Sequence, residues 1–310
     1  MKANVSSRPV DPTLNAQPVS NFKADLGSRY TVDKIFKTAA WAATILSVLI
    51  LAWLLFTILI DGLGTLNWNF VNSFPSRKAE RAGILAALVG TLWLMGLVTL
   101  FSFPIGVGAG IFLEEFSEDN WFTRLVEVNI GNLAGVPSII YGLLGLAVFA
   151  RIMEPITGGR SVLSGSLTLS LLILPVIIVA TREALRAIPN SMRLAGYALG
   201  ATRWQVTWSH VLPAAMPGIL TGVILALSRA IGETAPLIAV GAAVFISFLP
   251  QGVTSQFTAM PIQIYNWIGR PQEEFHHIAA SGIIVLMGVL LVMNGIAVYL
   301  RNRFQNAQNG

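Results

Sequence analysis

The sequence predicts an all-α, polytopic membrane protein with about six transmembrane helices. Two observations predict it. Of the 310 residues, 54% are hydrophobic and only 11% are charged, and the charges gather between long apolar runs instead of being spread through them, as they are in water-soluble domains. Several of those runs reach the roughly 20 residues that a helix needs to cross about 30 Å of hydrocarbon.

Residues 1–37 form a polar tail containing Pro9, Pro12, Pro18, Lys23, Arg29, Lys34 and Lys37, with no apolar core before Trp41. This pattern is expected of a cytoplasmic, disordered tail, not of a cleavable signal, and residues 30–37 are expected to lie along the membrane surface. The first span covers residues 39–60 and stops at Asp61-Gly62. A second covers 83–113, bent by Pro104, Gly106, Gly108 and Gly110 and closed by Glu114-Glu115. Residues 116–128 read as a loop. A third span, 133–149, carries Gly135, Pro137, Gly142 and Gly145, small residues that let helices approach closely. The fourth, 162–181, ends at Arg182-Glu183.

A fifth span starts at Pro213 and continues through Leu227. It is broken by Arg229, Gly232, Glu233 and Pro236, with a further apolar piece to Leu249. A sixth covers 278–299, leaving a short tail, 305–310, after a permease domain of 38–304. With the N-terminus placed inside, thirteen basic residues fall inside, six outside, and Arg229 lies within the membrane. That bias puts both termini in the cytoplasm. The net charge of +5 therefore reflects loop ends and not nucleic-acid affinity. The tryptophans, among them Trp41, Trp93, Trp204, Trp208 and Trp267, are expected in the headgroup belt.

Residues 182–213 are too polar to span. They read as two short helices meeting at a turn: a start at Pro189-Asn190-Ser191 with a side-chain cap, a stop at Gly200, a second start at Thr202, and Pro213 opening the next span. This stretch resembles the cytoplasmic coupling loop of ABC importer permeases with the MetI-like fold. That family's motif is Glu-Ala-Ala, three residues, Gly, nine residues, Ile, any residue, Leu-Pro. Gly200, Leu212 and Pro213 match at the family's spacing. Leu194-Ala195-Gly196 replaces Glu-Ala-Ala and His210 replaces Ile. The resemblance implies that Leu194, Ala195, Gly196, Gly200, Ala201, Arg203, Leu212 and Pro213 couple the permease to an ATPase subunit. The alternative is an amphipathic loop resting on lipid.

Three further stretches, 132–142 (NLAGVPSIIYG), 228–236 (SRAIGETAP) and 261–267 (PIQIYNW), resemble the phosphate-specific branch and its PstA-type subunits. The last of these, with 270–274 (RPQEE), separates PstA-type from PstC-type permeases. The resemblance covers residues 41–303. It implies a phosphate importer with a PstC-like second permease, two copies of a PstB-like ATPase and a periplasmic PstS-like phosphate-binding protein. Permeases for molybdate or sulfate, and PstC-type permeases, are the alternatives.

Arg229 most needs an explanation, because an arginine inside an apolar helix costs at least about 2.5 kcal/mol. Its planar fork of donors fits two oxygens of a phosphate. Glu233, four residues on, could pair with it when no anion is bound, as a gate or as a fixed packing pair. Arg182 is a second path candidate, set against an ordinary cytoplasmic flank.

No glycine-rich phosphate loop followed by Lys and Ser or Thr occurs, so the chain is not expected to be an enzyme, and no catalytic residue or cofactor is assigned. The histidines, His210, His276 and His277, do not form the His-Glu-x-x-His spacing of a zinc protease. Glu273, Glu274, His276 and His277 read as interfacial residues, not as a metal site. The chain has no cysteine and hence no disulfide or thiol chemistry. A stand-alone secondary carrier would not need the coupling loop.

Overall fold

The computed structural model describes residues 26–243 and 245–309, and among them every regular element is helical. Contacts divide the chain into two units, 1–55 and 56–310. The first contains most of α1 (Leu26–Leu63), a single helix. Residues 30–37, expected along the membrane surface, are its opening turns. The disorder expected of the first residues falls outside the described residues as far as position 25.

In the second unit, α2 (Trp68–Asn72) precedes α3 (Leu85–Ile111), which passes through Pro104 unbroken and widens into a π-turn over Phe112–Phe116. α3 packs along α7 (Val162–Arg186) through small residues. A Cβ added at Gly106 would meet Ile177 at 2.6 Å, and one at Gly110 would meet Thr181 at 2.6 Å. Leu94, Val98, Leu169, Ile173 and Ile177 fill the seam with essentially no exposed surface. The start of α7 is fixed by a reciprocal cap between Ser161 and Ser164.

Between these helices the structure corrects the third span. Residues 121–133 are helix α4 (Trp121–Leu133), not loop, and α5 (Ser138–Ala147), extended by a π-turn to Ile152, leaves α4 at 106°. The loop expected over 116–128 thus holds only up to Asn120, which caps α4 by accepting from the Thr123 amide, and the apolar residues behind it keep helical spacing. The corner is held by the buried Tyr141, whose hydroxyl donates to the Leu133 carbonyl at 2.8 Å. Among the described residues, five helices are long and apolar enough to cross a membrane, and the bent α4–α5 pair makes up to six.

The short α6 (Glu154–Thr157) precedes α7. The coupling stretch follows α7, and α10 (Leu212–Ile231) then runs to a break at Gly232, after which α11 (Ala235–Val240) is only six residues long. The apolar piece expected to reach Leu249 is not continuous helix. Gly241 turns left-handed at φ 95°, and the chain then crosses to α12 (Met260–Ile268) by hydrogen-bonding along α7: the Val162 and Leu163 amides donate to Ser255 and Val253. Met260, the first residue of α12, donates its amide to Thr91 at 2.9 Å. Trp267 is fully buried beside Phe70, which overturns its assignment to the headgroup belt. α13 (Glu273–Asn309) closes the fold and continues as helix through the expected C-terminal tail. Ser228 of α10 lies 2.7 Å from the Asn294 side chain of α13, and Arg301 donates to Thr221.

α5 sits directly on α11. A Cβ at Gly142 would fall 2.6 Å from the Pro236 Cα, whereas one at Gly131 in α4 meets nothing. Gly142→Ala is therefore expected to lower the thermal stability of the purified permease by about 1–3 kcal/mol through overpacking. Gly131→Ala, in the same assay, leaves the melting temperature unchanged.

Candidate functional site

The break after α10 brings together two of the residues singled out from sequence. Arg229 stands in the last turn of α10, where a cation is favoured by the carbonyl end of the helix. Its Nε donates to Glu233 Oε1 at 3.2 Å. The two side chains differ in access: Arg229 is 48% exposed and Glu233 16%. Glu233 approaches from the interruption itself, since Gly232 and Glu233 turn back on the Arg229 and Ala230 carbonyls before α11 begins at Ala235. A half-exposed guanidinium beside a shielded carboxylate, at a discontinuity in a spanning helix, can accept an anion by exchanging one oxygen partner for another.

Arg182 is placed elsewhere. It is buried at the end of α7 and donates to Glu114 at 3.2 Å and to Glu127 of α4. Arg186 pairs with Glu114 at 2.9 Å and with Glu183. Arg193 donates to both oxygens of Glu115, at 2.6 and 3.2 Å. The consecutive carboxylates just past α3 thus neutralise Arg182 and Arg186 in the last turns of α7 and Arg193 beyond it. Sequence reasoning treated Glu114-Glu115 only as the close of a span, and the signal for the cluster was the excess of acid in 114–127 facing the excess of arginine in 182–193. Hydrogen bonding to Glu115 raises the Arg193 guanidinium above its ordinary value, against an opposing pull from burial.

The coupling stretch is two helices, as expected. α8 (Asn190–Ala198) starts at Pro189 without a side-chain cap, so the hydroxyl or amide expected there plays no such part. Proline fixes φ at −55°, and that suffices to set the entry. α8 ends in a Schellman turn: Gly200 at φ 80° donates to the Tyr197 carbonyl, and the Ala201 amide to that of Gly196. Thr202 and Gln205 then form a reciprocal cap on α9 (Arg203–Val206), which continues through a π-turn, Thr207–Val211, into α10. Gly196 lets α8 close onto Val206, where a Cβ would lie at 2.6 Å.

The residues implied for coupling divide accordingly. Leu194, Ala195, Gly200 and Arg203 are exposed. Gly196 and Leu212 are buried, and Ala201 and Pro213 half-buried, so these four shape the turn and the start of α10. An exposed apolar surface surrounds them: Leu199 at 88%, which was not singled out from sequence, and two tryptophans expected in the headgroup belt, Trp204 stacked on Trp208 with centroids 5.6 Å apart. A cleft of about 560 Å³, lined by Glu115, Arg186, Pro189, Arg193 and Tyr197 among others, opens beside α8. A side chain at Gly200 would meet no neighbouring atom, so the position is constrained by its backbone alone. Gly200→Val is expected to weaken the turn by about 1–2 kcal/mol, whereas Gly200→Asn is nearly neutral. Faster hydrogen exchange at the 200 and 201 amides in the valine variant is the check.

Glu273, Glu274, His276 and His277 stay apart as a ligand set. His276 Nε2 lies 2.9 Å from the Arg270 carbonyl, and among the described residues no group of three metal-ligating side chains converges.

Several apolar spanning helices, an interrupted helix carrying a charged pair, and a two-helix element between α7 and α10 define the transmembrane subunit of a binding-protein-dependent importer. The sequence profile described as binding-protein-dependent transport system inner membrane component matches residues 102–306, and the chain belongs to this family. It is 31% identical over 278 residues to the phosphate transport system permease protein PstA of Haemophilus influenzae, covering 90% of this chain and 95% of that protein. The probable phosphate transport system permease protein PstA of Methanocaldococcus jannaschii is 31% identical over 265 residues, 86% and 92% of the two chains. A chain of a bacterial alginate ABC transporter, solved with an alginate-bound periplasmic protein, shares the fold at a TM-score of 0.63 and 17% identity, over 89% of this chain and 96% of that one. The methionine transporter MetNI, in an inward-facing conformation, shares it at 0.54 and 21%, over 72% and 96%. Permeases of this family are not enzymes. They work with a separate ATPase subunit and a substrate-binding protein.

Proposed function

We propose that this chain is the PstA-type permease of a phosphate importer, with both termini cytoplasmic. It forms the translocation path with a PstC-like permease, driven by two PstB-like ATPase subunits and supplied by a periplasmic PstS-like protein. The observation that carries the reading is the half-exposed Arg229 guanidinium at the break in a spanning helix, paired with a shielded Glu233. Phosphate competes with Glu233 for Arg229, and the nearby carboxylate keeps the anion from binding too tightly to leave. Arg182 lies further along the path. With Glu114 and Glu127 already on it, it holds a passing anion more weakly than Arg229 does.

Coupling is assigned to α8 and the turn after it. Leu194, Ala195, Gly200 and Arg203, with Leu199 beside them, enter a groove on the ATPase. Gly196, Ala201, Leu212 and Pro213 hold that surface in shape. Closure of the two ATPases on ATP moves α8, and the permease pair alternates between outward and inward access.

The test is ATP-dependent uptake of radiolabelled phosphate into proteoliposomes carrying the permease pair and ATPase, with the binding protein supplied on the side from which uptake is measured. Uptake that excess molybdate or sulfate does not suppress supports the reading. Uptake of either of those anions in place of phosphate assigns a different oxyanion.

A further inference from the structure

Arg193 is the only described residue of α8 whose side chain hydrogen-bonds into both α3 and the end of α7, and it does so from a largely dehydrated position. Its side chain is 15% exposed and that of Glu115 is 5% exposed. Four N–H bonds are satisfied together. Nε and one terminal nitrogen hold the two Glu115 oxygens at the end of α3. The same terminal nitrogen reaches the Leu185 carbonyl at 3.0 Å, and the other reaches Ile188 at 2.9 Å. The Leu185 carbonyl, which also accepts from the Ile188 amide, lies in the last turn of α7, and the Ile188 carbonyl lies just past it, where the helix no longer continues. One planar fork therefore fastens α8, α3 and α7 to one another, a geometry that a lysine ammonium does not reproduce.

Beyond this tie, α8 rests on the Val206 region through Gly196 and presents Leu194, Leu199 and Ala195 outward. α3 and α7, by contrast, are locked together by near-contact of backbone and small side chains at Gly106 and Gly110. A push on α8 reaches that rigid pair by way of the guanidinium. We propose that Arg193 and Glu115 are positioning residues for coupling. They make α8 move as one body with the cytoplasmic ends of α3 and α7, so that ATPase closure displaces the spans instead of only tilting a surface helix. This rests on the assignment of α8 as the ATPase-docking element. It adds that the force passes through Arg193.

The experiment uses the complete reconstituted importer and reads two quantities: phosphate moved per ATP hydrolysed, and the amount of ATPase subunit that co-purifies with the permease. Arg193→Met is expected to lower phosphate moved per ATP about tenfold with co-purification unchanged, Glu115→Gln to do nearly the same, and the double variant to be no worse than the worse single, as coupled residues behave. Arg193→Lys, which keeps the charge but not the fork, recovers only part of the loss. Wild-type stoichiometry in Arg193→Met, or losses that add in the double variant, overturns the proposal. So does loss of the ATPase subunit from both Arg193→Met and Glu115→Gln, because the pair then only shapes the docking surface. Should Arg193→Met not accumulate in the membrane, Glu115→Gln and Arg193→Lys carry the same comparison. Failure of the docking assignment itself reads differently: Leu199→Asp would then leave the ATPase subunit bound.

Discussion

Arg229→Gln is expected to reduce phosphate uptake about a hundredfold in the reconstituted importer, with assembly and basal ATP hydrolysis retained. Glutamine keeps the length and polarity of the side chain but removes the charge and the fork. Two charge-assisted hydrogen bonds to phosphate, at about 1.5 kcal/mol each, correspond to that factor. Assembly survives because Arg229 is half exposed and its ion partner Glu233 lies on the same stretch of chain, so its loss opens no gap in the core. Glu233→Gln tests the other half of the exchange. With its competitor gone, Arg229 holds phosphate longer, and uptake falls while phosphate bound at equilibrium rises. Unchanged uptake in Arg229→Gln would reduce the pair to a packing contact.

The second large effect belongs to Leu199. At 88% exposure it is the most exposed large apolar side chain among the described residues, and it stands directly before the left-handed Gly200. Burial of a leucine in a partner groove contributes about 1.5–3 kcal/mol, and an aspartate in its place must also be dehydrated. Leu199→Asp should therefore abolish co-purification of the ATPase subunit and stop transport, while leaving the thermal stability of the isolated permease unaltered. Retention of the ATPase on the variant would move the docking surface away from α8.

Sequence revealed the elements whose signals are local. Span length and hydropathy located α1, α3, α7, α10 and α13, and the Gly200 turn and the Thr202 start were legible because Schellman and capping geometry depend on a few adjacent residues. The pairing of Arg229 with Glu233 was legible for the same reason: four residues apart, the two stay within reach of each other even though the helix breaks at Gly232. What was missed depends on contacts between distant segments. α4 was taken for a loop because its charges mask a helical apolar repeat, and the 106° corner depends on Tyr141 reaching back eight residues to Leu133. Trp267 reads as an interfacial tryptophan from its neighbours in sequence, and only the packing of Phe70 against it makes it core. Arg182 was read as a path candidate or a cytoplasmic flank, and its ion pairs were not foreseen because its partners, Glu114 and Glu127, are 68 and 55 residues away.

That spacing carries a consequence for how the protein is made. Both carboxylates precede Arg182 in the chain, so α3 and α4 have left the ribosome before α7 emerges. Until α7 packs against α3, its arginines lack their carboxylate partners and keep that end of the helix in water. Once the helix has settled against α3, the waiting carboxylates close on them. The order of synthesis thus lets the same guanidinium stay hydrated first and become a buried fastening later, without a bare charge left facing lipid.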